Sequence, residues 1–334
     1  MRTVGTGHLR RLTDDFGIWQ HTNGPEIDYQ HGYALDDSAR ALLAAVEYGQ
    51  YDLMTIYLGF LETAVGGRET VNFFDAERSP LLKKTSEDAL GEAAWALGAA
   101  SQLPQFHGQA ATLFHRITPK IRQLQTLRGR SYALLGALYI DPPLAARLTE
   151  SLLTDAQPRS FSWVWPEKKL TYGNAILPLS LIMAGDRLAH RPAKNLGLLL
   201  LNWLNLVCRY EGYPIAIGNR GWYPEGKVKA LYDQQPIDPS YQVLANAAAW
   251  QISSQAAYLG QALFYFDWFW GRNLSGQSLI DEDDSCRDAL WENGVSPNRG
   301  AENVVCFLLA QAAIQRAVQA SANKQWLSAT PNAV

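Results

Sequence analysis

The chain is poor in the residues that staple or metallate small folds. Among its 334 residues are three cysteines, three methionines and six histidines, and only 18% are charged. Cys208, Cys286 and Cys306 are odd in number and form no CxxC pair, which argues against a disulfide framework and a structural zinc site. Basic residues are not in excess: 29 Lys and Arg face 32 Asp and Glu. That balance is no footprint for a nucleic-acid binder. The longest greasy stretch, 196–208, is broken by Asn202 and Asn205 and falls short of a membrane span. MRTVGTGHLRRLTDDFG lacks a signal-peptide core, so a soluble cytoplasmic protein is the expectation. There is no GxSxG elbow, HExxH helix or P-loop, and GTGHLR lacks the third glycine of a dinucleotide loop. DEDDSCRDALWE (281–292) has acidic residues at EF-hand positions one, three and twelve. Cys286 stands where that loop needs glycine, and Asp288 where it needs an apolar residue. No metal and no cofactor are expected.

What the chain has is helical periodicity and aromatic rings. Apolar residues recur at helical spacing over 36–48, 53–65, 87–102, 108–123, 130–138, 144–153, 174–190, 194–209, 241–251, 255–269 and 301–320. Strands with period-two alternation are almost absent, and no Pro/Gly/Ser-rich linker divides the chain. The turn-rich stretch 210–239 reads as an elaborated loop. One all-α domain of about a dozen helices is expected over residues 1–334, with a core from about 10 to 320 and a flexible tail at 321–334.

Five helices open on a polar run and turn apolar within one turn: HGYALDDSAR (31–40), TSEDALGEAAWALG (85–98), LTYGNAILPLSLI (170–182), DQQPIDPSYQVLA (233–245) and NRGAENVVCFLLA (298–310). Their landmarks, Asp37, Glu87, Asn174, Asp238 and Glu302, lie one or two helical hairpins apart. Repeating hairpins close into a ring or stack into a solenoid. A ring gathers the openings around one cavity; a solenoid spreads them along a surface. Each opening taken alone is also explained as a helix cap.

Glycosidic-bond chemistry needs two carboxyl groups, one protonated and one ionised. Adjacent carboxyls split their proton affinities through repulsion and burial. Asp36-Asp37, Glu87-Asp88 and Asp233/Asp238 are candidate pairs, with Glu302 a further contributor. Asp36 and Asp37 point about 100° apart on one helix, so at most one looks straight into a cavity. Sugars are also held by aromatic platforms. Tyr33, Trp163, Trp165, Tyr172, Trp222, Tyr223, Trp268 and Trp270 are candidates, although about half belong to a core. YPIAIGNRGWYPEG (213–226) carries Asn219, Arg220, Trp222 and Tyr223 on a Gly-punctuated loop. A proton-shuttling epimerase usually needs an acid and a base on opposite faces of the sugar carbon. His31 beside the first opening is the one histidine placed for that, and no histidine follows His190.

DDFGIWQHTNGPEIDYQHGYALDDSARALLAA, WVWPEKKLTYGNAILP, IGNRGWYPEGKVKALYDQQPIDP, FDWFWGRN and GVSPNRGAENVVCFLLA, in this order, resemble the helical-toroid domains associated with bacterial glycosyltransferases. The resemblance implies an (α/α)6 barrel of the six-hairpin glycosidase and sugar-epimerase type, and a glycosyltransferase as a partner. Tyr172-Gly173-Asn174 lacks the family's Asp, and Ala89-Leu90-Gly91-Glu92 stands where Ser-His-Gly-Arg is usual. His31, Tyr33, Asp36, Asp37, Arg40, Asn219–Tyr223 and Asp233-Gln234-Gln235 keep the pattern.

The leading expectation is therefore a glycoside hydrolase-like enzyme acting on an oligosaccharide or polysaccharide. Asp37 and Asp233 form its acid/base pair, with Asp36, Glu87, Asp88 and Glu302 in reserve. Substrate contacts are expected from His31, Tyr33, Arg40, Trp165, Tyr172, Asn174, Asn219, Arg220, Trp222, Tyr223, Gln234, Gln235, Arg272 and Asn273. The alternatives are a non-catalytic glycan-binding or scaffolding subunit, favoured by the altered openings, and a sugar isomerase or epimerase.

Overall fold

The computed structural model describes residues 3–81 and 86–329. Twelve α-helices lie among the described residues: α1 (Gly7–Arg11), α2 (Leu35–Glu47), α3 (Tyr51–Val65), α4 (Glu87–Ala100), α5 (Pro104–Ile121), α6 (Leu127–Ile140), α7 (Pro142–Asp155), α8 (Ile176–Arg187), α9 (Arg191–Val207), α10 (Ile237–Ser253), α11 (Ala256–Phe266) and α12 (Ala301–Ala329). The strands are two residues long and staple loops together. The even-numbered helices pack side by side in the order α2–α4–α6–α8–α10–α12 and close back onto α2. Each odd-numbered helix lies outside its hairpin partner, and α1 covers α12. The fold is an (α/α)6 toroid.

Local chemistry starts and stops these helices. Ser86 accepts a hydrogen bond from Ala89 N at 3.2 Å to cap α4, and Thr126 caps α6 through Gly129 N at 3.1 Å. Pro opens α5, α7 and α9, where its missing N–H costs nothing. Glycine sets the closest helix crossing. A Cβ on Gly98 would lie 2.5 Å from Gly136 O, and one on Gly136 2.1 Å from Ala94 O, so α4 and α6 meet backbone to backbone. The chain ends close the ring. Val4 N donates to Gln311 Oε1 and Gln311 Nε2 returns a bond to Val4 O, both at 2.8 Å.

Helix α12 runs to Ala329, past the expected core boundary near 320; residues 330–334 of the expected tail, like Thr85 of the second opening, lie outside the described residues. By length and composition Ala301–Ala322 could cross a bilayer, with a mean hydropathy of 1.3. It is the last inner helix of the ring and 67% of it is buried there, which accounts for its apolar surface.

Candidate active site

The first turns of the inner helices meet at one end of the ring, the front. Gly32 turns the chain into α2 at φ 62°, where a Cβ would lie 2.0 Å from Phe74 O. One turn into α2, Arg40 is 2% exposed. Its Nη1 donates to Glu92 Oε1 on α4 at 3.0 Å, and its Nη2 to Asp37 Oδ1 at 3.0 Å and Glu302 Oε2 on α12 at 3.2 Å. Asp36 Oδ2 lies 3.6 Å from the same Nη2. Tyr241 OH, on α10, donates to Glu92 Oε1 at 3.2 Å. Three inner helices thus converge on one guanidinium, and a fourth, α10, braces Glu92.

One positive charge cannot neutralise so many buried carboxyls. Burial pushes Asp37 well above the usual carboxylate range, Asp36 adds to the push, and Arg40 opposes it. Glu92 is raised for the same first reason, again against the pull of Arg40. Glu302 keeps 29% of its side chain open but sits in a recess. Desolvation there raises it, Arg40 pulls it down, and Asp288 and Asp36 push it up. Asp36 is the most open of the set, with 38% of its side chain exposed. Asp288 is raised by burial, restrained by hydrogen bonds from Asn303 and Asn298, and pushed by Asp233. The Asn303 amide, oriented to donate, reaches Asp288 Oδ1 at 2.9 Å.

Beside this crowd stands a wall of rings and one cation. Asp88 Oδ2 accepts from Arg128 Nε at 2.9 Å and Tyr172 OH at 3.0 Å. The Arg128 guanidinium lies 4.2 Å from the Tyr172 ring centre. Trp222 leans toward Tyr172 at 6.2 Å and holds a left-handed backbone, φ 60°. Asn174 donates its N (3.3 Å) and Nδ2 (3.2 Å) to the buried Asp238 Oδ1, tying α8 to α10. Burial raises Asp238 to about 7 although these bonds from Asn174 pull it down. Asp233 accepts from the exposed Arg220 Nε at 3.0 Å through Oδ2, while its buried Oδ1 has no hydrogen-bond partner.

The structure places other expected site residues elsewhere. Arg40, expected to hold sugar hydroxyls, is buried and occupied by carboxyls. Glu87 caps the neighbouring inner helix, accepting from Gln125 N (2.8 Å) and Thr126 N (2.6 Å). Burial pushes its carboxyl up, but those amides win and hold it below the usual value. Tyr33 is core, its OH bonded to Asp14 Oδ2 at 2.6 Å. Trp165 is buried on Glu167, and Trp163 packs edge-on to Tyr223, away from the Arg40 cluster. Gln234 Oε1 is consumed by Ala216 N and Trp268 Nε1, and Asn273 by its own loop. Arg272 pairs with Asp267 on the surface. Asn219 is exposed, holding Asp233 O through its backbone N, and Gln235 is half-buried at the entry to α10.

Sequence reasoning did not single out Glu92, Arg128, Tyr241 or Asp288 as site residues. Glu92 was visible as a lone carboxyl inside an Ala/Leu/Gly run. Asp288 was visible as the residue that spoils the EF-hand pattern. That segment is not a calcium loop here, because Arg287 and Arg299 occupy Asp281 at 2.7 and 3.0 Å. Among the described residues no group of three or more His, Cys, Asp or Glu side chains is arranged to hold a metal. Among the described residues no histidine contacts the Arg40 cluster. His31 faces Asp28 at 3.6 Å and His21, His8 bonds Arg299 O, His107 bonds Ser101 O, His190 pairs with Glu150, and His115 packs on Phe114.

An apolar cavity of about 150 Å³ opens at the other end of the axis, lined from all six inner helices. Its charged side chains, Glu47 and Arg316, pair with each other.

No protein-family model and no curated protein sequence matches the chain. Solved structures do resemble it. A cellobiose 2-epimerase from Bacillus thermoamylovorans B4167 superposes with a TM-score of 0.71 at 10% identity, covering 93% of this chain and 95% of that one. A D-mannose isomerase gives 0.69 at 12% identity, with 91% and 93% covered. The GH76A alpha-1,6-mannanase from Salegentibacter sp. HEL1_6 gives 0.66 at 10%, with 92% and 95% covered. These likenesses show the fold, an (α/α)6 toroid.

Proposed function

We propose that the protein is a carbohydrate-active enzyme that cleaves a glycosidic bond, with Glu302 as proton donor and Asp36 as the partner carboxyl. One observation carries this reading: both half-open carboxyls flank the same Nη2 of buried Arg40. Sharing one nitrogen keeps their nearest oxygens at most about 7 Å apart, which spans the retaining spacing and only the short end of the inverting one. Glu302 meets the first requirement of a general acid, since burial and its acidic neighbours favour its protonated form. Asp37, favoured from sequence, lies deeper and serves as a fixed ligand of Arg40. Asp233 holds the exposed Arg220 through Oδ2 at 3.0 Å, and this pair is offered to sugar hydroxyls. Tyr172 and Trp222 supply the stacking surface.

The absence of a histidine beside the cluster weighs against a proton-shuttling epimerase, even though two of the similar folds are an epimerase and an isomerase. The motif resemblance supports a place beside a glycosyltransferase, which co-purification with a tagged copy would test. The decisive experiment measures product release from a panel of bacterial oligosaccharides and polysaccharides by wild type, Glu302→Gln and Asp36→Asn. Turnover lost in both variants supports the pair. Glycan binding without turnover in the wild type sinks it and leaves a binding subunit.

A further inference from the structure

Glu92 takes no direct part in this chemistry. At 2% side-chain exposure it cannot touch a substrate. It nevertheless takes one side of the guanidinium on which Glu302 depends, receiving Arg40 Nη1 at 3.0 Å. Tyr241 holds Glu92 from behind, and the Tyr241 ring is itself packed against Tyr132 at 5.9 Å and Trp95 at 6.4 Å. The carboxyl therefore has no room to swing away from Arg40. Asp37, Glu92 and Glu302, with Asp36 at 3.6 Å, divide one positive charge. Glu302 also faces Asp36 from α2, Asp238 from α10, Asp288 from the loop before α12 and Cys306 on its own helix.

We propose that Glu92 is a positioning residue: by competing for Arg40 it leaves Glu302 incompletely neutralised and able to keep the proton that it delivers. The inference rests on Glu302 as the proton donor. Gln at position 92 would still accept from Arg40 and Tyr241 through Oε1, so Glu92→Gln removes charge and keeps packing. Tyr241→Phe acts in the same direction more weakly, because Glu92 without its Tyr donor holds its proton more tightly and competes less for Arg40.

The test is an NMR titration of the Glu302 carboxyl in the full chain, with no substrate present. Glu92→Gln should lower the Glu302 midpoint by about one pH unit, and Tyr241→Phe should lower it by a smaller amount. A residue that merely stabilises the fold would move neither. An unchanged midpoint in Glu92→Gln, or shifts of opposite sign in the two variants, overturns the proposal. Where substrate is turned over, Glu92→Gln should shift the basic limb of the kcat profile down by the same amount and leave KM alone. The downward shifts without wild-type turnover would sink the glycosidase reading while the competition for Arg40 stands.

Discussion

At the front of the ring, the first turns of α2, α4 and α12 bring Asp36, Asp37, Glu92 and Glu302 to one guanidinium. At the rear, the later turns of the same helices line a cavity with Leu43, Trp95, Leu309 and Ala313, and the one ion pair is closed on itself. Helix polarity explains why the two ends are not interchangeable. N-termini carry unsatisfied N–H groups and a positive dipole end, which stabilise carboxylates. Between the two ends, Trp95, Tyr132 and Tyr241 form a buried aromatic septum. The lesson is that one set of helices builds a charged mouth and an apolar base by segregating residue type along each helix.

The largest effect expected on this contrast is chemical. Glu302→Gln and Asp36→Asn should each cut turnover by about 10²–10⁴-fold while the protein stays folded. Glu47→Gln at the rear should leave turnover within about twofold, as an exposed ion pair contributes little; an equal loss there would break the front–rear distinction. Next comes packing between α4 and α6. Gly136→Val would force a Cβ to within 2.1 Å of Ala94 O, where no side chain can yield. A loss of about 3 kcal/mol is expected in urea unfolding. Leu309→Ala enlarges the rear cavity and should cost about 2 kcal/mol, the low end for such truncations because the space is already partly open. The Glu302 titration should not move in that variant.

The smallest effect concerns pH. Asp238 is raised from 3.8 to about 7 in the folded chain. Between those values the folded state binds more protons than the unfolded one, so its contribution to stability is full below about 4 and is lost as pH rises through 7. Asp37, Glu92 and Glu302 act in the same direction. Asp238→Asn keeps an acceptor for Asn174 and should flatten part of that decline in thermal unfolding followed from pH 4 to 8.

All eleven periodic segments read from the sequence are helices, α2 to α12, because each carries an apolar face long enough to show its period. The five-residue α1 was not legible, being too short for a period, although it closes the ring. Ring and solenoid could not be told apart, since both bury one face of each hairpin. In the site, Asp36, Asp37 and Glu302 were legible as carboxyls at helix openings. Glu87 belonged to the same pattern yet caps α6, because one residue along a helix turns a side chain by about 100° and sends it to a different neighbour.

By itself the sequence determined the helices, their alternation in hairpins and the polar character of the openings, because those follow from residues near one another in the chain. Only the tertiary structure decided which carboxyls share Arg40. That choice depends on ring closure between α2 and α12, which joins Arg40 to a residue 262 positions away. It also depends on the close crossing at Gly98 and Gly136. A helix's period fixes where a side chain points relative to its own axis; the packing of the axes decides what it meets.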